Sequence, residues 1–191
     1  MSTLTVVQKN GVAAIAADQM SKKGSCKCPA AYQSRPTKIV RLEDSFIGVT
    51  GSTAHIRVVQ SLVHNHANRF DLSSVDSIFE TFRGLHKVLV EDYHLLTKED
   101  DDEQPYESSQ LFLLIANNTG IYEVQGYREV IKYERFWAIG CGYAFALGAM
   151  EALYGNDNLS AQQIAERGVE IACLFDEASG PPVESYTIAL R

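Results

Sequence analysis

Ser2 carries a primary hydroxyl beside what removal of Met1 would turn into a free α-amine. Those two groups on one residue suffice for acyl transfer, because an amine of pKa ~8 is partly neutral near physiological pH and can take the hydroxyl proton without a histidine. A third group follows from the neighbouring pattern. Asn10-Gly11 stands between two runs of strand-forming residues, and this dipeptide favours a two-residue hairpin turn, since both central positions need positive φ. Pairing Lys9 with Val12 and counting back sets Val7 against Ala14, Thr5 against Ala16 and Thr3 against Asp18. A carboxylate is thus expected beside the residue that follows Ser2.

The elements that must hold these groups run as strands, helices, strands and helices. After the hairpin, residues 24–36 read as a loop, and strands are expected at about 37–43 and 45–50. A helix follows Ser52 with Ile56, Val59 and Val63 at helical spacing. A second begins near Ser73 or Ser74, repeats Val75, Ile78, Phe79, Phe82, Leu85 and Leu89, and is expected to end at the charged run from Lys98 to Glu103. Leu111 to Ala116 is a continuous apolar run, suited to a strand buried on both faces, and Ile121–Val124 can pair with it across residues 117–120. A strand around Phe136–Ile139 leads into a helix. Ser160 with Gln163 forms a capping-box pattern that opens a last helix, with Ile164, Ile171 and Phe175 expected on one side, and Tyr186–Leu190 closes the chain as a strand.

Composition narrows the classes. At 191 residues the chain suits one compact domain over 1–191 with a sizeable core, and a net charge of −7 with no basic stripe argues against nucleic acid and anionic membranes as partners. No apolar stretch reaches the length of about 18 residues that a membrane span needs, and no Lys/Arg-flanked apolar leader is visible, so a cytoplasmic protein is expected. Cys26, Cys28, Cys141 and Cys173 are too few and too unevenly placed for a secreted disulfide framework. Cys26-Lys27-Cys28 with His64-Asn65-His66 lacks the usual zinc spacings, and the acidic run at 99–103 lacks the spaced ligands and glycine of a calcium loop, so no metal and no organic cofactor are expected. His55, His86 and His94 read as ordinary residues of helical segments.

Several segments, taken in order, resemble the β-type proteasome subunits and their bacterial relative HslV. The opening is similar to their mature start, normally Thr-Thr, followed by a strand, a tight turn and a strand ending in aspartate, here Asp18. Residues 37–42 (TKIVRL) resemble the family's lysine-led strand, and residues 49–54 (VTGSTA) its turn into the first long helix. Residues 138–142 (AIGCG) resemble its Ile-Gly-Ser-Gly, and Asp176-Glu177-Ala178-Ser179-Gly180 its Asp-x-x-Ser-Gly. The resemblance implies an α+β fold, a four-layer sandwich of two antiparallel sheets flanked by helices; periodicity alone does not select that stacking.

It also implies roles. Ser2 stands where the family has its threonine nucleophile, Lys38 with Asp18 sets the electrostatics around it, and the Gly51 N–H faces the oxyanion. Cys141 replaces a serine that organises the α-amine, and Asp176 with Ser179 supports the amino terminus. Lys22, Val49 and Thr53 fall at substrate-binding positions. Val49 matches the base of the pocket for the residue before the scissile bond, so cleavage after medium apolar residues is expected. The implied protein is a self-compartmentalising endopeptidase acting on peptides or unfolded polypeptides. Its subunits would stack as homo-oligomeric rings, with an ATP-dependent unfoldase as a partner that would feed them. Two alternatives stay open: an amidohydrolase for small amides and a catalytically silent ring subunit.

Overall fold

The structure, a computed structural model, describes residues 2–34, 36–98 and 104–191. Asn10 and Gly11 take φ of 51° and 74°, and strands β1 (Thr3–Lys9) and β2 (Val12–Asp18) pair in the register expected of that turn, Lys9 with Val12, Val7 with Ala14 and Thr5 with Ala16. The segment read as a loop from residue 24 instead supplies the turn and second strand of a small hairpin, β3 (Ser21–Lys23) with β4 (Cys26–Cys28) around Gly24-Ser25. Strands β5 (Ile39–Leu42) and β6 (Ser45–Thr50) lead to helices α1 (Thr53–His66) and α2 (Val75–Glu91). The Ser52 hydroxyl caps α1 by accepting from the Ala54 N–H, and Ser74 caps α2 by accepting from Ser77.

Helix α2 stops at Glu91, well before Lys98, so the charged run does not terminate it, and His94 lies beyond the helix at a φ of 55°. Residues 99–103 of that run lie outside the described residues. Strands β7 (Phe112–Asn117), β8 (Gly120–Val124), β9 (Val130–Tyr133) and β10 (Phe136–Gly140) then precede helices α3 (Tyr143–Tyr154) and α4 (Ala161–Phe175) and strand β11 (Val183–Ala189). The capping box of Ser160 and Gln163 is complete. The inward stripe of α4 is Ile164, Ala165, Gly168, Val169 and Ala172, while Phe175 faces out.

The strands form two antiparallel sheets, ordered β10-β1-β2-β11 and β5-β6-β7-β8-β9. Leu4, Val6 and Ile15 from the first meet Phe46, Leu114 and Ile121 from the second. On the outer faces, Val59, Leu62, Ile78, Phe82 and Leu85 of α1 and α2 pack on Ile47, Val49 and Ile115, and Met150, Ile164 and Val169 of α3 and α4 pack on Val7, Ala14 and Ala16. This is the four-layer α+β sandwich. It explains why β1, β2 and β7 are buried on both faces and why β2 and β7 show no alternation of apolar and polar residues. Among the described residues no helix is long and apolar enough to cross a membrane.

Candidate active site

Asp18 closes β2 at the end of the sandwich where β1 begins, and it is 0% exposed. One of its oxygens accepts from Lys38 Nζ at 2.7 Å and from the Thr3 N–H at 2.9 Å, and the other from the N–H groups of Gly180 and Met20 at 3.0 and 3.2 Å. Lys38, 3% exposed at the entry to β5, donates also to the Met20 carbonyl at 2.6 Å. A buried pair of charges persists only when paired and hydrogen-bonded in this way. Burial nevertheless holds the Lys38 ammonium below its usual pKa, outweighing the attraction of Asp18.

Ser2 is fixed through its backbone. Its carbonyl accepts from the Cys141 N–H at 2.8 Å, while the next amide reaches Asp18. The carbonyl lies so close to Gly140 that a Cβ there would sit 2.0 Å from the oxygen, and Gly140 has a φ of +96° that side chains rarely adopt. The Thr3 hydroxyl accepts from the Gly142 N–H at 3.1 Å and stands 2.7 Å from Ser179 Oγ, which donates to Asp176 at 2.5 Å. Each hydroxyl has one proton, so the chain runs Gly142 to Thr3 to Ser179 to Asp176. Sequence reasoning did not single out Thr3, Gly140 or Gly142; the small-residue pattern around Cys141, next to an expected strand end, was the available signal.

Gly51, with φ of +97°, follows β6, and the Thr50 hydroxyl would lie 3.1 Å from a Cβ on Gly140, so this turn and the end of β10 face each other. A cleft of about 470 Å³ opens here and reaches Gly51, Gly140 and Cys141. A smaller pocket of about 110 Å³ lies beside Lys38, with Ser21, Thr53, Arg57 and Gln60 among its walls. Val49 is not one of them: it is 0% exposed and belongs to the core under α1. Lys22 turns to Glu177, its ammonium 2.6 Å from the carboxylate.

Cys141 exposes its side chain and contributes its backbone N–H, while the half-buried Cys173 thiol is pushed up to about 12 by burial and then by Asp18, which leaves it a poor nucleophile. The His55 imidazole Nδ1 is buried without a hydrogen-bond partner, 3.4 Å from where a Cβ on Gly51 would be, and burial lowers its pKa. Among the described residues no group of three or more His, Cys, Asp or Glu side chains is placed to hold a metal.

Known proteins share this arrangement of the chain. A sequence model described as "Proteasome subunit" matches residues 1–188. The structure of Thiobacillus denitrificans BPH superposes with a TM-score of 0.92 at 38% identity, covering 99% of this chain and 98% of the other. The same protein in complex with epoxomicin gives a TM-score of 0.92 over 99% of both chains. HslV from Trypanosoma brucei, at 22% identity, shares the fold with a TM-score of 0.72 over 98% of this chain and 99% of that one.

Proposed function

The chain belongs to the proteasome subunit family, and on that premise we propose that it is a self-compartmentalising, cytoplasmic endopeptidase whose nucleophile is Ser2, exposed as the amino terminus when Met1 is removed. The observation that carries this reading is the single Asp18 oxygen shared by the Lys38 ammonium and the Thr3 amide, which brings a buried cation to within one residue of Ser2. The neutral α-amine takes the Ser2 hydroxyl proton as the oxygen attacks the peptide carbonyl. Lys38, held by Asp18, favours the deprotonated forms of both groups. The Gly51 N–H meets the tetrahedral oxyanion, a kind of contact worth about 3 kcal/mol in other enzymes. The amine then returns the proton to the leaving nitrogen, and water hydrolyses the acyl-enzyme. The Thr3–Ser179–Asp176 chain and the Cys141 N–H hold the terminus in place without touching substrate. No step calls for a metal or an organic cofactor. The epoxomicin complex of the 38% identical Thiobacillus protein supports a ligand-binding role for the same fold.

The subunits are proposed to form a homo-oligomeric ring around the sites, with peptides or unfolded polypeptides as substrates and an ATP-dependent unfoldase as feeder. The pocket beside Lys38 takes the side chain before the scissile bond. Its walls include the Arg57 guanidinium, which bonds the neutral Gln60 side chain at 3.0 Å and pairs with no carboxylate among the described residues. Polar or acidic side chains therefore replace the medium apolar ones that Val49 suggested.

Intact mass and peptide hydrolysis, measured on one sample, test the reading. The active protein lacks Met1, and Ser2→Ala abolishes turnover while the far-UV spectrum and assembly stay unchanged. Full activity with Met1 retained would sink the mechanism. A processed monomer that cleaves only small amides would mark an amidohydrolase, and a processed ring with no activity a silent subunit.

A further inference from the structure

The cleft of about 470 Å³ that reaches Gly51 and Cys141 takes no part in the proton chemistry above, yet it holds a charge without a counter-charge. Glu123 on β8 is 6% exposed and lines it. The carboxylate accepts from the Tyr133 hydroxyl at 2.6 Å and from Gln125 Nε2 at 3.4 Å, and among the described residues no lysine, arginine or histidine pairs with it. Lys132 does not supply the charge. It pairs in register with Tyr122 and lies over that ring at 5.7 Å, on the face of the sheet opposite to Glu123.

The walls say what would complete the site. Trp137 lines the cleft and stacks on Tyr133, their centroids 4.5 Å apart and their planes 11° from parallel. Burial and the bond to Glu123 push the Tyr133 hydroxyl upward, so it stays a donor. The cleft thus offers aromatic surface leading to a buried acceptor. A side chain with an apolar stem and a cationic head satisfies both, its stem along the rings and its head on the carboxylate. An apolar side chain would cover the carboxylate without pairing it, and an acidic one would be repelled.

We propose that this cleft is a second substrate subsite that takes the arginine or lysine side chain of a peptide residue near the scissile bond, with Glu123 as its acceptor. It shares Gly51 and Cys141 with the candidate active site and no wall residue with the pocket beside Lys38. The subsite rests on the peptidase reading, but its test does not need turnover.

Trp137 is the only tryptophan of the chain, so its emission reports occupancy of the cleft directly. The Ser2→Ala protein is titrated with tryptophan-free tetrapeptide amides that differ at one position, arginine against citrulline, its uncharged analogue. The arginine peptide should change the emission saturably with a Kd about tenfold lower than that of the citrulline peptide. Glu123→Gln, and independently Gln125→Lys, which sets an ammonium in the cleft where the Gln125 amide stands 3.4 Å from the Glu123 carboxylate, should each bring the two peptides within about twofold. If Glu123→Gln does not fold, Gln125→Lys decides alone. No saturable change, equal Kd values in the parent protein, or a preference that survives in either folded variant would overturn the subsite. Arginine-selective binding without hydrolysis by the Met1-free parent would leave the subsite standing and remove the peptidase reading. Hydrolysis with no arginine preference in binding would do the reverse.

Discussion

Lys38 is held in a fold where burial works against its charge and Asp18 works for it, and the balance falls below its ordinary 10.5. Between the folded pKa and 10.5 the unfolded chain binds more protons than the native one, so this lysine's contribution to stability grows as pH rises through that window and is lost as pH falls through the folded pKa. The proposed activity should run the other way, because its mechanism uses the ammonium. The kcat/KM profile of the Met1-free protein should fall on its alkaline side before pH 10.5, at pH values where circular dichroism still shows the native fold. A profile that stays level to pH 10.5 would remove the charge of Lys38 from the mechanism. Asp18 was legible beforehand because a two-residue turn fixes register, and register is arithmetic along the chain. The bond between the Thr3 and Ser179 hydroxyls was not. It joins the two ends of the sequence, and no local pattern of residue types reports such a meeting. The burial of Val49 was hidden for a related reason: it depends on how α1 lies across the strand, and Arg57 reaches the pocket from that same helix.

At the level of elements, the end of β10 does as much for the site as the hairpin does. Its last residue, Gly140, leaves room for the Ser2 carbonyl, and the next N–H binds that same oxygen. Gly140→Ala combines a conformation disfavoured by about 1–2 kcal/mol with an overlap that only movement of Ser2 can relieve. The variant should melt lower than the parent and lose activity out of proportion to its stability, which thermal unfolding and kcat on one preparation will show. Ser160→Ala is the contrasting case. It removes the cap of α4, costing about 1 kcal/mol, and should leave kcat unchanged because the helix still packs through Ile164 and Val169. The strong periodicities and caps made the helices readable. The weaker strands were not: β9 is a four-residue edge strand, only partly buried and flanked by charged residues, and the β3-β4 hairpin is mostly polar. Their hydrogen bonds come from neighbours that a local reading does not see.

The whole molecule places its candidate nucleophile at one end of a layered stack, with pockets on either side of the Thr50–Thr53 turn. Phe145 and Phe175 pack against each other, ring centroids 5.5 Å apart, at the exposed ends of α3 and α4. Mass photometry at micromolar concentration should find multiples of the 21.1 kDa chain, and monomer alone would favour the small-amide alternative. The layering was legible in the order of elements, but which faces meet came from resemblance, since several α+β stackings accept the same succession. Ser2 itself, 3% exposed and followed by a strand paired on both sides, sets an order of events for the proposed removal of Met1. A methionine aminopeptidase needs a free, extended end, whereas here the residue after Met1 is already gripped by Cys141 and Asp18 through its backbone and that of Thr3. If Ser2 is the nucleophile, trimming therefore belongs to the minutes of synthesis, before β1 enters its sheet. On the proposed mechanism, chain that folds with Met1 in place should stay inactive and resist added aminopeptidase until it is unfolded and released again, which intact mass before and after such treatment will show.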